Sequence, residues 1–224
     1  MKRSEVNRAI GQAITVFYKH GIGLPPWAIW GPRDWEAHAE DAKALRDAWL
    51  GWDVTDFGMG DSAAVGLTAL HLRNGGSTVD PSAPYRESLL VFTPGQAYPW
   101  HTRVATYDIT SRAGGQLVVE IAHADASGEP GRDPLDVHLD GMTRRMTGQG
   151  ILVLEPGQSV RVPAGVRAQI SAGQGAEPLI CSEIASAGDP LAVCLLSAGA
   201  RIPSIQEDEA ARFPLIWEMA GRTG

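Results

Sequence analysis

The sequence predicts a mainly β fold, a jelly-roll barrel with an N-terminal helical segment and a short C-terminal helical tail. Its 224 residues, of which 44% are hydrophobic and 20% charged, are enough to bury one sizeable core. Glycine occurs 26 times and proline 15 times, and together they divide the chain into short segments, which favours strands joined by tight turns. We therefore expect a single domain over residues 1–224, with a helical arm at 1–50, the barrel at 52–200 and the tail at 201–224.

The helical arm is predicted from residues that recur at helical spacing. Apolar side chains fall on one face of the first twenty residues: Val6, Ile10, Ala13, Ile14 and Phe17. Ser4 is positioned to cap the start of this helix, and Gly21 to end it. A second helix is predicted over residues 34–50, after the segment LPPWAIWGPRDW, whose tryptophans are expected to pack the first helix onto the rest of the fold.

The barrel is predicted from short alternating or β-branched runs that begin after Trp52. The runs are LHLRN, SLLVF, GQLVVEIAH, LDVHLDGMTRRM, GILVLEPG, SVRVPAG, RAQIS and LICSEIA. The pair Asp140-Gly141 predicts a tight hairpin turn inside one of them. Many short strands at this spacing are typical of a sandwich or small barrel.

The charge balance and the sequence of the first residues exclude several classes of function. A net charge of −7 argues against nucleic acid as the main partner, and no apolar run approaches the roughly 18 residues that cross a membrane. The polar start MKRSEVNRAI does not resemble a signal peptide, and the two cysteines form no CxxC pair. We therefore expect a cytoplasmic protein that acts on a small molecule.

Two glycine-rich segments carry the most specific pattern. The first reads Gly95-x5-His101-x-Arg103-x4-Asp108-x6-Gly115, and the second reads Gly157-x5-Pro163-x-Gly165-x2-Ala168. Their spacing resembles the two motifs of the cupin barrels, in which two histidines, a glutamate and a last histidine hold a metal ion. Side chains two residues apart share one face of a strand, which explains the His-x-His spacing.

The four metal-binding positions of this pattern hold His101, Arg103, Asp108 and Ala168. Arginine keeps its proton and is not a ligand, so only His101 and Asp108 remain as candidates for metal binding. Metal sites normally have three or four protein ligands. The sequence therefore predicts that this protein has no resident metal.

A wider resemblance covers nearly the whole chain. The segments MKRSEVNRAI, LPPWAIW, LGWDVTDFGMGD, PYRESLLV, VPAG and IPSIQEDE resemble the bacterial D-lyxose isomerases in the same order. This resemblance implies a cupin barrel, a dimer, and a manganese-dependent aldose–ketose isomerase that acts on D-lyxose and D-mannose. The chain departs from the family at the metal positions, at Thr106, where the family usually has lysine, and at Ser88, where lysine is frequent.

Four residues are the candidates for catalysis. His101 is a candidate base, and the carboxylate of Asp108 would hold its imidazole in the correct orientation. The alternative is that His101 is a relic whose nitrogens are satisfied by hydrogen bonds and that Asp108 is a solvated turn residue. Arg103 either binds an enolate, carboxylate or phosphate oxygen, or pairs with Asp108 or Glu183 in an inactive site. Glu183 is a candidate acid or base because alternation in LICSEIA puts it on one face with Leu179 and Cys181; the alternative is a carboxylate at the barrel mouth.

Four neighbouring residues are candidates for substrate binding: Trp100, Tyr107, Arg167 and Gln169. Trp100 would form a stacking wall and Tyr107 would donate a hydrogen bond, or both are packing residues. Arg167 and Gln169 flank Ala168 and can face either way.

The sequence supports three hypotheses of function. The first is a metal-independent acid–base enzyme of isomerase, lyase or cyclase type, descended from the D-lyxose isomerases and used in specialised metabolism. The second is a D-lyxose or D-mannose isomerase with an atypical manganese site. The third is a cupin that binds a sugar or metabolite without catalysis.

Overall fold

The computed structural model describes residues 1–75, 82–123, 131, 133–188, 194–195 (backbone) and 203–219. Within them the helices are α1 (Arg3–Lys19), a 3-10 turn (Pro26–Ile29), α2 (Pro32–Ala37), α3 (Ala39–Asp47) and α4 (Ile216–Met219). The strands are β1 (Gly51–Thr55), β2 (Leu67–Asn74), β3 (Tyr85–Phe92), β4 (Ala97–Thr102), β5 (Tyr107–Gly114), β6 (Leu117–Ala122), β7 (Leu135–Leu139), β8 (Met142–Met146), β9 (Gly150–Leu154), β10 (Ser159–Val162), β11 (Arg167–Ala172), β12 (Leu179–Ser186) and β13 (Cys194–Leu195). The fold is mainly β, as the sequence predicts.

The strands form two antiparallel sheets that face each other. One sheet has the order β1-β2-β3-β12-β5-β10-β7-β8, and the other has the order β13-β4-β11-β6-β9. Leu90 and Ile109 from the first sheet share one core with Val119 and Ile170 from the second. Packed antiparallel sheets with non-sequential strand order are typical of a jelly roll.

A second core lies on the outer face of the larger sheet and holds α1 in place. Val6 and Ile10 of α1 are fully buried there. The ring of Phe17 stacks on Trp52 at a centroid distance of 6.4 Å, and Nε1 of Trp52 donates to the carbonyl oxygen of Ala28 at 2.7 Å. Burial of such side chains contributes about 1.5–3 kcal/mol each, so this layer fixes the helical arm against the barrel.

The start of α1 differs from the prediction. Lys2, not Ser4, occupies the N-cap position, and its backbone N–H donates to the carboxylate of Glu5 at 2.7 Å. Ser4 lies in the first turn, and its hydroxyl donates to the carboxylate of Asp208 at 2.7 Å. This hydrogen bond connects α1 to the C-terminal tail. Gly21 follows the helix with a φ of 70°, a conformation that favours glycine, as predicted.

The predicted helix over residues 34–50 is in fact two helices. Pro32 begins α2 earlier than expected, because proline fits the first helical turn. His38 then breaks the helical path with φ −106° and ψ 44°, and its ring stacks on Trp30 at 4.5 Å. In the described ranges, no helix has both the length and the apolar character that a membrane span requires.

The predicted hairpin is present. Asp140 and Gly141 both have positive φ, 51° and 79°, and they join β7 to β8. Two consecutive residues with positive φ match the type I′ turn that suits the twist of paired strands.

Candidate active site

Polar side chains cluster inside the barrel, where strand alternation turns them towards the core. In β12, Leu179 and Cys181 belong to the inner core, whereas Ile180 packs in the outer layer. Glu183 therefore faces inward, as its alternation predicts, and it is only 3% exposed. Its neighbour Ile184 lies on the outside of the barrel, 39% exposed.

A β-bulge brings two aromatic rings of β4 to the same side. His101 is paired with Ala168 and Tyr98 with Ile170, so the step from 98 to 101 on β4 opposes a shorter step on β11. Ala168 and Ile170 both belong to the inner core, and so Tyr98 and His101 both face inward although they are three residues apart. Their rings stack at 4.2 Å with an angle of 17°.

The hydrogen bonds of His101 define its tautomer. Nδ1 lies 2.9 Å from the carbonyl oxygen of Pro99, which only accepts, so the proton is on Nδ1. Nε2 lies 3.0 Å from the hydroxyl oxygen of Tyr107 and accepts a hydrogen bond from that hydroxyl. Burial, together with the charge of Arg103, lowers the pKa of His101 to about 4. His101 is therefore a neutral imidazole with its basic nitrogen towards Tyr107.

Two arginines enclose Glu183. Nη2 of Arg103 donates to Oε2 at 2.6 Å, and Nη2 of Arg86 donates to Oε1 at 3.0 Å. Burial by itself would raise the pKa of the Glu183 carboxyl, but the charges and hydrogen bonds of Arg103 and Arg86 hold it well below its usual range. Glu183 is therefore an ionised carboxylate inside the barrel.

Arg103 also lies against two tyrosine rings. Its guanidinium carbon is 4.1 Å from the ring centroid of Tyr107 and 6.0 Å from that of Tyr98. A guanidinium at these distances is attracted to the ring faces. Burial opposes the charge of Arg103, but Glu183 and these tyrosines raise the pKa of the guanidinium further above its usual range.

Sequence reasoning missed a third part of the cluster. Nδ1 of His71 on β2 lies 2.7 Å from the hydroxyl oxygen of Ser88 on β3, and both side chains are buried. Burial, together with the charge of Arg86, lowers the pKa of His71 to about 3. Leu90 belongs to the inner core, and side chains two residues apart on a strand share a face, so Ser88 and Arg86 also point inward. This alternation in β3 is the sequence signal that could have identified them.

The residues at the family's metal positions do not fit a metal ion. Arg103 is a guanidinium, Ala168 has no ligand atom, and both ring nitrogens of His101 are already hydrogen-bonded. Glu183 is engaged by two arginines. Among the described residues, no three histidine, cysteine, aspartate or glutamate side chains are placed to hold a metal together.

Asp108 does not take the place predicted for it. Its carboxylate lies outside the barrel, where Nε and Nη2 of Arg161 donate to it at 2.8 and 3.0 Å. Tyr107 and Ile109, its neighbours on β5, are the buried ones. The expected contact of Asp108 with His101 is therefore not formed, and Asp108 is not placed to serve as a residual metal ligand. Tyr107 contacts His101 instead.

The predicted substrate-binding residues divide between the interior of the barrel and its outside. Tyr107 lies inside. Arg167 and Gln169 alternate with the inward-facing Ala168 and so lie on the opposite face of β11. Trp100 is with them, since the guanidinium carbon of Arg167 is 5.6 Å from its ring. These three residues do not line the interior cluster.

The interior cluster brings together the parts that proton transfer requires. A neutral imidazole accepts a hydrogen bond from a phenol, and a guanidinium lies against that phenol. A base of this kind can take a proton, and the positive charge can stabilise an oxyanion.

The family model and two curated relatives to which this chain is similar are all D-lyxose isomerases. A model of the D-lyxose isomerase family matches residues 1–219. The D-lyxose/D-mannose isomerase of Escherichia coli O157:H7 is 34% identical over 192 residues, which cover 84% of this chain and 85% of that protein. The D-lyxose/D-mannose isomerase of Serratia proteamaculans is 30% identical over 222 residues, which cover 97% of each chain.

Solved structures show the same fold at lower identity. The L-ribose isomerase of Cellulomonas parahominis with L-ribose is 14% identical, has a TM-score of 0.54, and matches over 92% of this chain and 98% of its own. The L-ribose isomerase of Acinetobacter sp. DL28 in complex with L-ribose has the same TM-score and coverage at 12% identity.

Proposed function

The chain belongs to the D-lyxose isomerase family, and we propose that it is an enzyme that moves protons next to a carbonyl of a polyhydroxylated small molecule without a bound metal. One observation carries this proposal. His101 is neutral, and its Nε2 accepts a hydrogen bond from Tyr107 at 3.0 Å, beside the guanidinium of Arg103. Aldose–ketose isomerisation is the member of this reaction class that the family favours.

In this proposal Tyr107 and His101 act as one base. Tyr107 takes the proton from the carbon beside the carbonyl while its own hydroxyl proton passes to Nε2 of His101. In the reverse transfers Nε2 returns a proton to Tyr107, and Tyr107 delivers to the neighbouring carbon a proton that has exchanged with the solvent. A hydroxyl proton moves between the two substrate oxygens. The charges that this step creates are a positive imidazole and a negative enediolate, and the guanidinium of Arg103, which lies 4.1 Å from the Tyr107 ring, favours the enediolate.

Arg103 would supply the charge that stabilises the enediolate. Removal of a proton beside a carbonyl leaves a negative oxygen, and a fixed positive donor lowers the energy of that intermediate. Among the described residues, Nε and Nη1 of Arg103 have no hydrogen-bond partner. These donors are the ones available to a substrate oxygen.

Glu183 would be a positioning residue rather than a proton acceptor. The two arginines that bind it keep it ionised and satisfy one lone pair on each oxygen. Its contact with Nη2 fixes the orientation of the Arg103 guanidinium. The acid–base role predicted for Glu183 therefore passes to His101 and Tyr107.

A second candidate function is sugar or metabolite binding without catalysis. The observation that favours it is burial, since His101 and Tyr107 are 0% and 2% exposed and Glu183 is 3% exposed. Such a protein would bind a sugar and leave its carbon-bound protons unexchanged.

Solvent deuterium exchange tests the proposal. D-lyxose and D-mannose are incubated with the protein in D2O containing EDTA, and deuterium at C2 and the appearance of ketose are followed by NMR. We expect exchange in the wild type and a loss of about 100-fold or more in His101→Gln and Tyr107→Phe. Asp108→Asn, outside the cluster, is the control that keeps its activity.

Two other results would contradict the proposal. Exchange that appears only after manganese is added would favour the metal-dependent isomerase. Binding of either sugar without any exchange would favour the non-catalytic candidate.

A further inference from the structure

We propose that the interior of the barrel binds the carboxylate of a sugar acid between Arg86 and Arg103. This inference rests on the proposed function, because it takes the same interior cluster as the substrate site. The relatives are isomerases of D-lyxose and D-mannose, which are neutral sugars. The charges inside this barrel point to a different substrate class.

The cluster has an unbalanced positive charge. Arg86 and Arg103 carry two positive charges, and Glu183 carries one negative charge. His71 and His101 are neutral above pH 5, since burial lowers the pKa of both to 4 or below. Among the described residues of the cluster, one positive charge is therefore left without a partner. A buried charge that is not paired is costly, and an anionic ligand would remove that cost.

The hydrogen-bond donors show the same imbalance. Both guanidinium groups are nearly enclosed, with 7% of the Arg86 side chain and 9% of the Arg103 side chain exposed. Nε of Arg86, and Nε and Nη1 of Arg103, have no acceptor among the described residues. One carboxylate oxygen would accept from Nε of Arg86 and the other from one of the two free Arg103 donors, which leaves the second Arg103 donor for the enediolate oxygen.

The size of the charge selects a carboxylate over a phosphate. A carboxylate carries one negative charge and would bring the cluster to neutrality. A phosphate ester carries between one and two negative charges at pH 7 and would overcompensate it. A neutral sugar hydroxyl would accept a hydrogen bond but leave the charge unpaired.

The test compares three sugars that differ at one carbon. D-mannose is neutral, D-mannuronate has a carboxylate at C6, and D-mannose 6-phosphate has a phosphate there. Their dissociation constants are measured by titration calorimetry on the full-length protein at pH 7 in EDTA. We expect D-mannuronate to bind at least about tenfold more tightly than D-mannose and more tightly than the phosphate, because charge-assisted hydrogen bonds are the strong ones.

Two variants change the charge of the cluster in opposite directions. Arg86→Gln makes the described cluster neutral and is expected to weaken D-mannuronate binding by about tenfold. Glu183→Gln removes the carboxylate that competes for the arginines and is expected to strengthen it by a similar factor. A variant that merely misfolds would lose binding, so the gain in Glu183→Gln cannot come from damage.

Three outcomes would overturn the inference. They are equal affinity for D-mannose and D-mannuronate, tighter binding of the phosphate, and no binding of any of the three sugars. The proposed function is judged separately, because deuterium exchange on D-mannose does not depend on a carboxylate. Exchange on D-mannose with no preference for D-mannuronate would keep the function and discard the substrate class.

Discussion

The Nη2 atom of Arg103 lies 2.6 Å from the Oε2 atom of Glu183, which connects the end of β4 to the middle of β12. Arg103 stands at the second histidine position of the cupin pattern. The ion pair therefore places a fixed positive charge inside the barrel, at a position where the resemblance to the cupin pattern implies a metal ligand. The consequences for catalysis, stability and metal binding can be measured separately.

Replacement of Arg103 is expected to reduce catalysis strongly. In Arg103→Gln the enediolate loses its positive donor, so we expect the rate of deuterium exchange to fall by about 100-fold or more. Arg103→Lys keeps the charge but loses the planar fork, and an intermediate rate is expected. The measurement is NMR exchange at a saturating sugar concentration, with circular dichroism to confirm folding. Equal rates in the wild type and Arg103→Gln would show that the guanidinium has no part in the reaction.

The pH dependence of the rate should reflect the lowered pKa of His101. An ordinary histidine is protonated below about 6.5, whereas burial and Arg103 lower the pKa of His101 to about 4. We expect kcat/KM to stay flat from pH 8 down to about 5 and to fall towards pH 4, as Nε2 takes up a proton. An acid limb centred near 6.5 would contradict the buried, neutral state of His101.

The same shift has a consequence for stability. The unfolded chain takes up a proton on this histidine near 6.5 and the folded protein only near 4. The folded state is therefore progressively destabilised as the pH falls between these values. Above 6.5, His101 contributes no pH dependence to the free energy of unfolding.

The sequence predicts the parts of the fold that local patterns determine. Alternation in β12 places Glu183 inside, and two turn residues, Asp140 and Gly141, identify a hairpin, because both signals depend on near neighbours. The sequence predicts one helix over residues 34–50 because the break at His38 has no glycine or proline to mark it.

The site was less predictable because one extra residue changes which side chains face inward. The bulge in β4 brings Tyr98 into the cluster, which a strict two-residue alternation from His101 would exclude. The spacing of the cupin pattern likewise selects Asp108, but Tyr107 is the residue that faces inward on β5. Strand pairing across the fold sets Ser88 of β3 opposite Glu183, and the side chain of Arg86, two residues away, forms the ion pair; local spacing does not reveal this contact.

Asp108 and Arg161 form a surface ion pair that is expected to matter little. Exposed ion pairs contribute little to stability, so Asp108→Asn should change the melting temperature by less than about 2 °C. The exchange rate should also stay within about twofold of the wild type, since the carboxylate lies outside the barrel. If Asp108→Asn lost as much activity as His101→Gln, the result would indicate that Asp108 acts together with His101 in the reaction.

Asp53 gives a prediction about stability that is independent of catalysis. Burial raises its pKa to about 7, against a usual value near 4, although hydrogen bonds oppose the shift. The folded protein therefore loses stability as the pH rises from about 4 through 7, because the unfolded chain releases this proton more readily. Asp53→Asn cannot ionise, and we expect it to melt about 5 °C or more above the wild type at pH 8.

The pH dependence of that difference provides the control. At pH 5 the advantage of Asp53→Asn should be less than half as large as at pH 8. Asp136→Asn, which removes an exposed carboxylate on β7, should show no comparable trend. An equal gain at both pH values would mean that Asp53 titrates normally.

Metal binding should be absent in the wild type and recoverable by two substitutions. Elemental analysis of protein grown with manganese should give well under one metal per chain, because Arg103 repels a cation and Ala168 has no ligand atom. Arg103→His combined with Ala168→His adds two imidazoles beside His101, since Ala168 is its pairing partner on β11. It also releases Glu183 from one of its two arginines. We expect this double variant to bind about one manganese or zinc ion per chain.

The single variant Ala168→His, which keeps Arg103, separates ligand number from charge. It should bind no metal, because the guanidinium still occupies the second position and holds Glu183. A melting temperature that rises with added manganese in the double variant alone would identify Arg103 as the residue that excludes the ion. One metal per chain in the wild type would mean that other side chains complete a site, and the metal-dependent isomerase would then be the better account of this protein.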